Sequence, residues 1–170
     1  MKRFLKITAV CLCTALLVCA AGCGKQDPAL EDGADKSSVD LDELRETMLA
    51  ADTTLPEMKL STSGDEKAEL NFTVFSDFDY ERVQSYFYAY AAEGGPQEIA
   101  VVELKDAGDA AALMRTLQEH IELRKGALGE YAPDQLAMVE HAVIKQYGSC
   151  VTMIICEKSG LVQQAISEMM

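Results

Sequence analysis

The sequence predicts an α+β domain: a mainly antiparallel sheet of about four strands, a long packing helix, and helices near the N- and C-terminal ends of the domain. Three observations carry this. Residues 106–128 place apolar side chains at helical spacing over several turns. Two apolar runs, 97–105 and 150–157, have the length and β-branched content of buried strands. Gly94-Gly95 and Tyr147-Gly148-Ser149 each sit between neighbouring strand candidates as hairpin turns.

Taken in order, Leu41, Leu44 and Met48 define a short amphipathic helix over 40–51, which either Ser38 or Asp40 can cap. The polar stretch 61–67, with Gly64-Asp65, reads as a loop. Leu70 to Phe75 alternates as Leu70, Phe72 and Val74 against Asn71, Thr73 and Phe75, the pattern of a strand. From Tyr80 to Ala91 two periods compete. Val83, Phe87 and Tyr90 fit a helix face, whereas Tyr86, Tyr88 and Tyr90 alternate with Phe87, Ala89 and Ala91. Aromatic density decides for a strand over 84–91.

Asp77-Phe78-Asp79-Tyr80-Glu81 begins like a calcium loop, but the sixth position is Arg82 and the twelfth Tyr88, so it reads as a solvated turn. Asp106 and Asp109 form a capping pair before the long helix, whose inner face is Ala110, Leu113, Met114, Leu117 and Ile121. Its outer face carries Arg115, Glu119 and Glu122, with Arg115 and Glu119 at i,i+4 spacing. Pro133 suits the first turn of a short helix to Met138. Strands follow over 140–146 and 150–157. The second is apolar on both faces and belongs inside a sheet covered on both sides. Ser159 or Gly160 opens a last helix with Leu161, Val162, Ala165 and Ile166.

The chain's 170 residues, 49% hydrophobic and 25% charged, support one ordinary core. Lys and Arg number 15 against 28 Asp and Glu, a net charge of -13 that excludes a nucleic-acid groove. Lys2, Arg3 and Lys6 precede an uncharged run from Ile7 to Ala20, the form of a secretory signal peptide over residues 1–22. That run falls short of the roughly 17 to 25 residues of a spanning helix. The segment ends in Ala20-Ala21-Gly22-Cys23, which resembles a bacterial lipobox with Ala20 where Leu is usual. Cys19 is a poorer candidate because Val18 before it is too large for the cleavage subsite.

The resemblance implies acylation at Cys23. The two chains of a diacylglyceryl group hold a protein stably where one does not. The alternative is ordinary secretion with Cys23 as an unmodified thiol. Cleavage removes three positive charges and no negative ones, leaving 12 basic residues against 28 acids, a net charge of -16. Residues 24–38, rich in Gly, Ser, Pro, Asp and Lys, form a flexible tether with a reach of about 20 Å. The folded domain is then 40–170, held outside the membrane as an acidic body that an anionic leaflet repels.

Of six Cys, only Cys150 and Cys156 remain as thiols in the folded part. Six positions apart on one strand, they are separated by about 20 Å, well beyond disulfide reach. They read as small buried hydrophobes.

Leu55-Pro56-Glu57-Met58, Glu98-Ile99-Ala100-Val101 entering a strand, and Lys105-Asp106 before a long helix with Arg124 form an ordered set. Tyr131-Ala132-Pro133, Val139-Glu140 and the Gly148 hairpin before an apolar strand complete it. The set resembles a family of small Gram-positive lipoproteins catalogued as domain of unknown function 4358, over residues 40–170. The resemblance implies a lipid-anchored extracytoplasmic domain and supplies no catalytic residues.

No metal is expected: His120 and His141 lack ligand spacing, and no Cys-x-x-Cys lies after residue 23. No cofactor motif, nucleophile elbow or phosphate loop is present. The most distinctive polar set is Glu98, Arg124, Tyr131 and Glu140. Glu98 and Glu140 each precede an apolar strand, and Arg124 lies near the end of the long helix. If those ends meet, the Arg124 fork bridges one or both carboxylates and the Tyr131 hydroxyl joins.

Such a group reads first as a fold-fixing ion pair, then as a ligand pocket. The tyrosines at 80, 86, 88 and 90 read as half-buried packing. The expected role is a non-enzymatic binding module for an envelope protein or peptide. The alternative is an envelope-acting enzyme using the Glu/Arg/Tyr group. Cation buffering is disfavoured because residues 23–69 and 70–170 each contribute -8, an evenly spread solubilising charge.

Overall fold

A computed structural model describes residues 40–170. The signal segment, Cys23 and the tether lie outside the described residues. The domain is α+β, with helices on both faces of a five-stranded, wholly antiparallel sheet.

Helix α1 (Leu41–Ala51) begins where the Asp40 carboxylate accepts from the backbone N–H groups of Asp42 and Glu43. Strand β1 (Met58–Thr62) follows, then helix α2 (Ala68–Phe72) and a 3₁₀ turn at Tyr80–Arg82. Strands β2 (Val83–Ala91) and β3 (Glu98–Leu104) form a hairpin whose turn needs Gly94 at a φ of 82°. After a second 3₁₀ turn, helix α3 (Ala110–Tyr131) crosses the sheet. Helix α4 (Leu136–Glu140), the hairpin β4 (Val143–Tyr147) and β5 (Cys150–Ile155), and helix α5 (Ser159–Met169) complete the chain.

The strand order is β1-β2-β3-β5-β4, so β5 returns between β3 and β4. Every residue of β5 is buried, as its two apolar faces require. Its Thr152 satisfies its hydroxyl by donating to the Lys145 carbonyl of β4 at 3.1 Å.

The sheet carries two cores. On one face Leu113, Leu117, Ile121 and Leu128 of α3 pack with Tyr86, Tyr88, Val102, Met153 and Ile155. On the other, Leu44 and Met48 of α1 and Val162 and Ile166 of α5 pack with Phe87, Ile99, Val101, Cys150 and Ile154. Each fully buried aliphatic or aromatic side chain contributes roughly 1.5–3 kcal/mol of transfer free energy. The β2 alternation therefore sends tyrosines toward α3, and Phe87, Ala89 and Ala91 to the other side.

Several expectations are corrected. Residues 70–75 are not a strand: Ala68 and Phe72 are buried at i,i+4 and Phe75 one step on, while Leu70 and Val74 are 63% and 64% exposed. A strand would have put Leu70, Phe72 and Val74 on one face. The fifth strand is β1, and its last two residues, Ser61 and Thr62, fall where a loop is expected. The helix near Pro133 begins later, at Leu136, and takes in Glu140, so β4 starts only at Val143. Asp109 makes no cap hydrogen bond; its carboxylate instead pairs with Arg82, whose Nε donates at 2.7 Å. The surface ion pair on α3 joins Lys125 to Glu122 at 2.9 Å, and none joins Arg115 to Glu119 among the described residues.

The two helices over the second core are tied at one buried carboxylate. Asp52, at the end of α1, accepts from the Thr54 N–H and hydroxyl through Oδ1 and from the Lys158 N–H through Oδ2. Burial alone raises its pKa. The hydrogen bonds from Thr54, Lys158 and the Cys156 thiol outweigh that and hold it below the ordinary 3.8. Because the folded value is the lower one, this stabilisation is complete above the unfolded pKa and is lost as pH falls through the folded pKa. Urea unfolding of Asp52→Asn should show a loss of about 1–3 kcal/mol at pH 7. The gap to the natural protein should narrow well below pH 4; an unchanged gap would show that Asp52 is not the titrating tie.

Candidate functional site

Glu98 opens β3, paired across the sheet with Tyr90 of β2 and Ile155 of β5. It is 3% exposed. A carboxylate removed from water at that depth costs several kcal/mol unless charge and hydrogen bonds are supplied to it. Helix α3 supplies both. His120 and Arg124 are four residues apart and so share one helix face, the face turned to the start of β3. His120 Nε2 lies 2.6 Å from Glu98 Oε2, and Arg124 Nε lies 2.6 Å from Glu98 Oε1.

The two contacts differ in kind. The Arg124 Nε–H is buried and is not aimed at a hydrogen-bond acceptor, so its contact with Glu98 is Coulombic more than directional. The directed bond of the guanidinium runs from Nη2 to the Gly95 carbonyl in the β2–β3 turn at 3.0 Å. The fork therefore spans a carboxylate and a turn instead of gripping one carboxylate bidentately. Arg124 supplies the countercharge and holds the hairpin turn; His120 supplies the second contact at the carboxylate.

Tyr88 closes the group from β2. Burial first, and the Glu98 carboxylate beside it second, push its phenol well above the ordinary tyrosine range, so it stays protonated as a donor. Its ring is stacked between Phe75, 4.4 Å away between centroids, and Tyr90 at 5.2 Å. Tyr86 is likewise buried, and its hydroxyl donates to the Ala68 carbonyl at 2.8 Å. Two of the four tyrosines, Tyr86 and Tyr88, are thus fully in the core, and Tyr80 and Tyr90 pack at its margin.

Of the four residues singled out by sequence, the structure brings together Glu98 and Arg124. Glu140 is elsewhere: it ends α4, exposed, three residues before β4, and makes no ion pair among the described residues. Its expected place at a strand start fails because Leu136 to Val139 coil to bury Val139. Tyr131 is the last residue of α3, and its side chain lies outside the described part. His120 and Tyr88 join the group unannounced. The signal for His120 was present as its i,i+4 spacing to Arg124.

His120 also lines a cleft of about 180 Å³ together with Ser76, Asp77, Thr116 and Leu123. The two thiols are buried and free, and burial pushes Cys150 up to about 11 and Cys156 up to about 12. Both are protonated near neutral pH, Cys150 as a small buried hydrophobe and Cys156 as a donor to Asp52. Among the described residues no group of His, Cys, Asp and Glu is arranged to hold a metal ion.

Arg124→Ala should lower stability by about 3 kcal/mol in urea unfolding, because it strips a buried carboxylate of its countercharge. Arg124→Lys should recover only part of this, since an ammonium has no fork to reach both Glu98 and the Gly95 carbonyl. An Ala variant within about 0.5 kcal/mol of the natural protein would show that the pair carries no structural weight.

Neither a curated protein nor a solved structure matches the chain. Residues 60–156, from inside β1 to the residue after β5, match the family described as Domain of unknown function (DUF4358). That span includes the Glu98 group and covers more than half of the sequence. The chain belongs to the DUF4358 family.

Proposed function

We propose that the protein is a lipid-anchored extracytoplasmic binding domain, one of a set of small Gram-positive lipoproteins, which engages a protein or peptide of the cell envelope. The observation that carries the anchor is the run Ala20-Ala21-Gly22-Cys23 after a basic start and an uncharged stretch. Two acyl chains on Cys23 give stable attachment, at about 0.8 kcal/mol per buried CH₂. Among the described residues no helix is long and apolar enough to cross a membrane. The tether over 24–38 lets the acidic domain stand clear of the headgroups.

A binding role is supported by the surface beside α3. Val74 and Leu123 are 64% and 74% exposed and both line the His120 cleft. Apolar side chains exposed at the edge of a cleft with polar walls suit contact with a partner. The enzymatic alternative, which joins Glu98 and Arg124 to Glu140, lacks its second carboxylate in the group, since Glu140 ends α4 on the surface.

Cells grown with a radiolabelled or alkyne-tagged fatty acid should yield the labelled protein in the membrane fraction. Cys23→Ala should abolish the label and release the protein or leave its precursor unprocessed. An unlabelled natural protein recovered from the medium would overturn the anchor.

A further inference from the structure

The cleft lies between the chain leaving α2 and the middle of α3. Thr116 and His120, one helical turn apart, line it on one side, Ser76 and Asp77 on the other, with Val74 and Leu123 at its edge. Its volume of about 180 Å³ is below the roughly 300–1,000 Å³ of pockets that enclose a whole small molecule. It has room for one side chain of a larger partner.

What that side chain must be follows from where the protons go. Thr116 donates its hydroxyl proton to the Leu113 carbonyl at 2.9 Å. Its oxygen, 2.6 Å from Ser76 Oγ, must therefore accept from Ser76. Ser76 Oγ in turn accepts from the Phe78 N–H at 3.2 Å. Thr73, also lining the cleft, donates its hydroxyl to the Leu70 carbonyl at 2.8 Å. The His120 ring turns Nε2 to Glu98 at 2.6 Å and so stands fixed in the cleft wall.

Asp77 and Glu119 add two carboxylates, and no Lys or Arg lines the cleft. Every hydroxyl has its proton committed inward, so the side chains offer acceptors and negative charge. We propose that the cleft receives a basic side chain, Lys or Arg, of a protein or peptide partner. The charged head sits between Asp77 and Glu119, and the aliphatic stem lies along Val74 and Leu123. A net charge of -13 on the whole chain steers such a partner toward the surface. The proposal rests on the reading of the domain as a binding module but not on its lipid anchor.

The test is an NMR titration of the full chain in nonionic detergent with the acetylated, amidated tripeptides Gly-Lys-Gly, Gly-Arg-Gly, Gly-norleucine-Gly and Gly-Glu-Gly. The lysine or arginine peptide should shift the Thr116, His120 and Leu123 resonances saturably and bind more weakly as salt rises. The norleucine peptide, which keeps the stem and lacks the charge, should bind about tenfold more weakly or worse. The double variant Asp77→Asn, Glu119→Gln, which alters exposed residues only, should bring the basic peptides down to the norleucine level. Equal binding of norleucine, preference for the glutamate peptide, or no shift at millimolar peptide would each overturn the proposal. Loss of fatty-acid labelling with basic-peptide binding intact would remove the anchor and leave the cleft standing; the reverse result would do the opposite.

Discussion

The buried Glu98 carboxylate constrains this fold more tightly than any apolar contact does. Leu113, Leu117, Ile121 and Leu128 give α3 its adhesion to the sheet, but apolar packing is non-directional and tolerates sliding. An α-helix displaced by one turn moves by about 5.4 Å, which would carry His120 and Arg124 together out of reach of Glu98. The carboxylate would then be buried without charge or hydrogen bond, at a cost of several kcal/mol. The two 2.6 Å contacts therefore fix the register of α3 on β3. The Arg124 bond to the Gly95 carbonyl fixes the β2–β3 turn in the same stroke.

That register matters because the sheet has little else to orient it. Strands β3 and β5 are apolar on both sides and have no solvent face. Both faces must be covered, and the chain does this with α3 on one and the α1–α5 pair on the other. The polar ties are placed where the apolar layers are least specific: Glu98 under α3, Asp52 between the end of α1 and the start of α5. The outer strands β1 and β4 carry exposed Lys59 and Lys145, charges that oppose further edge-to-edge pairing.

Much of this was legible in the sequence, and the failures have physical causes. The long helix, both hairpins and the doubly buried β5 announce themselves because burial imposes a period, and the period survives in the residues. Strand β1 does not, because its pattern is inverted: Leu60 is 45% exposed while Ser61 is buried against the Tyr86 hydroxyl at 3.0 Å. Helix α2 is too short to display a period, so six residues fit alternation equally well. Glu140 misled because a glutamate before an apolar run looks the same whether it begins a strand or ends a helix. Glu98 was legible because it interrupts nothing and still precedes four apolar residues; His120 was legible only through its spacing to Arg124.

The His120 ring belongs to the core and to the surface at once, and this joins the two parts of the structure. Its Nε2 side completes the pairing of Glu98, while its ring forms part of the cleft beside Ser76 and Thr116. A hydrogen bond on one imidazole nitrogen sets the proton on that nitrogen, and so determines what the other nitrogen offers. A buried carboxylate is an acceptor only, so His120 donates to it from Nε2 and the ring is held in one orientation. The interaction that sets the register of the helix thus also fixes where the imidazole stands in the cleft wall, so a change at Glu98 reaches the surface without altering a residue that lines it.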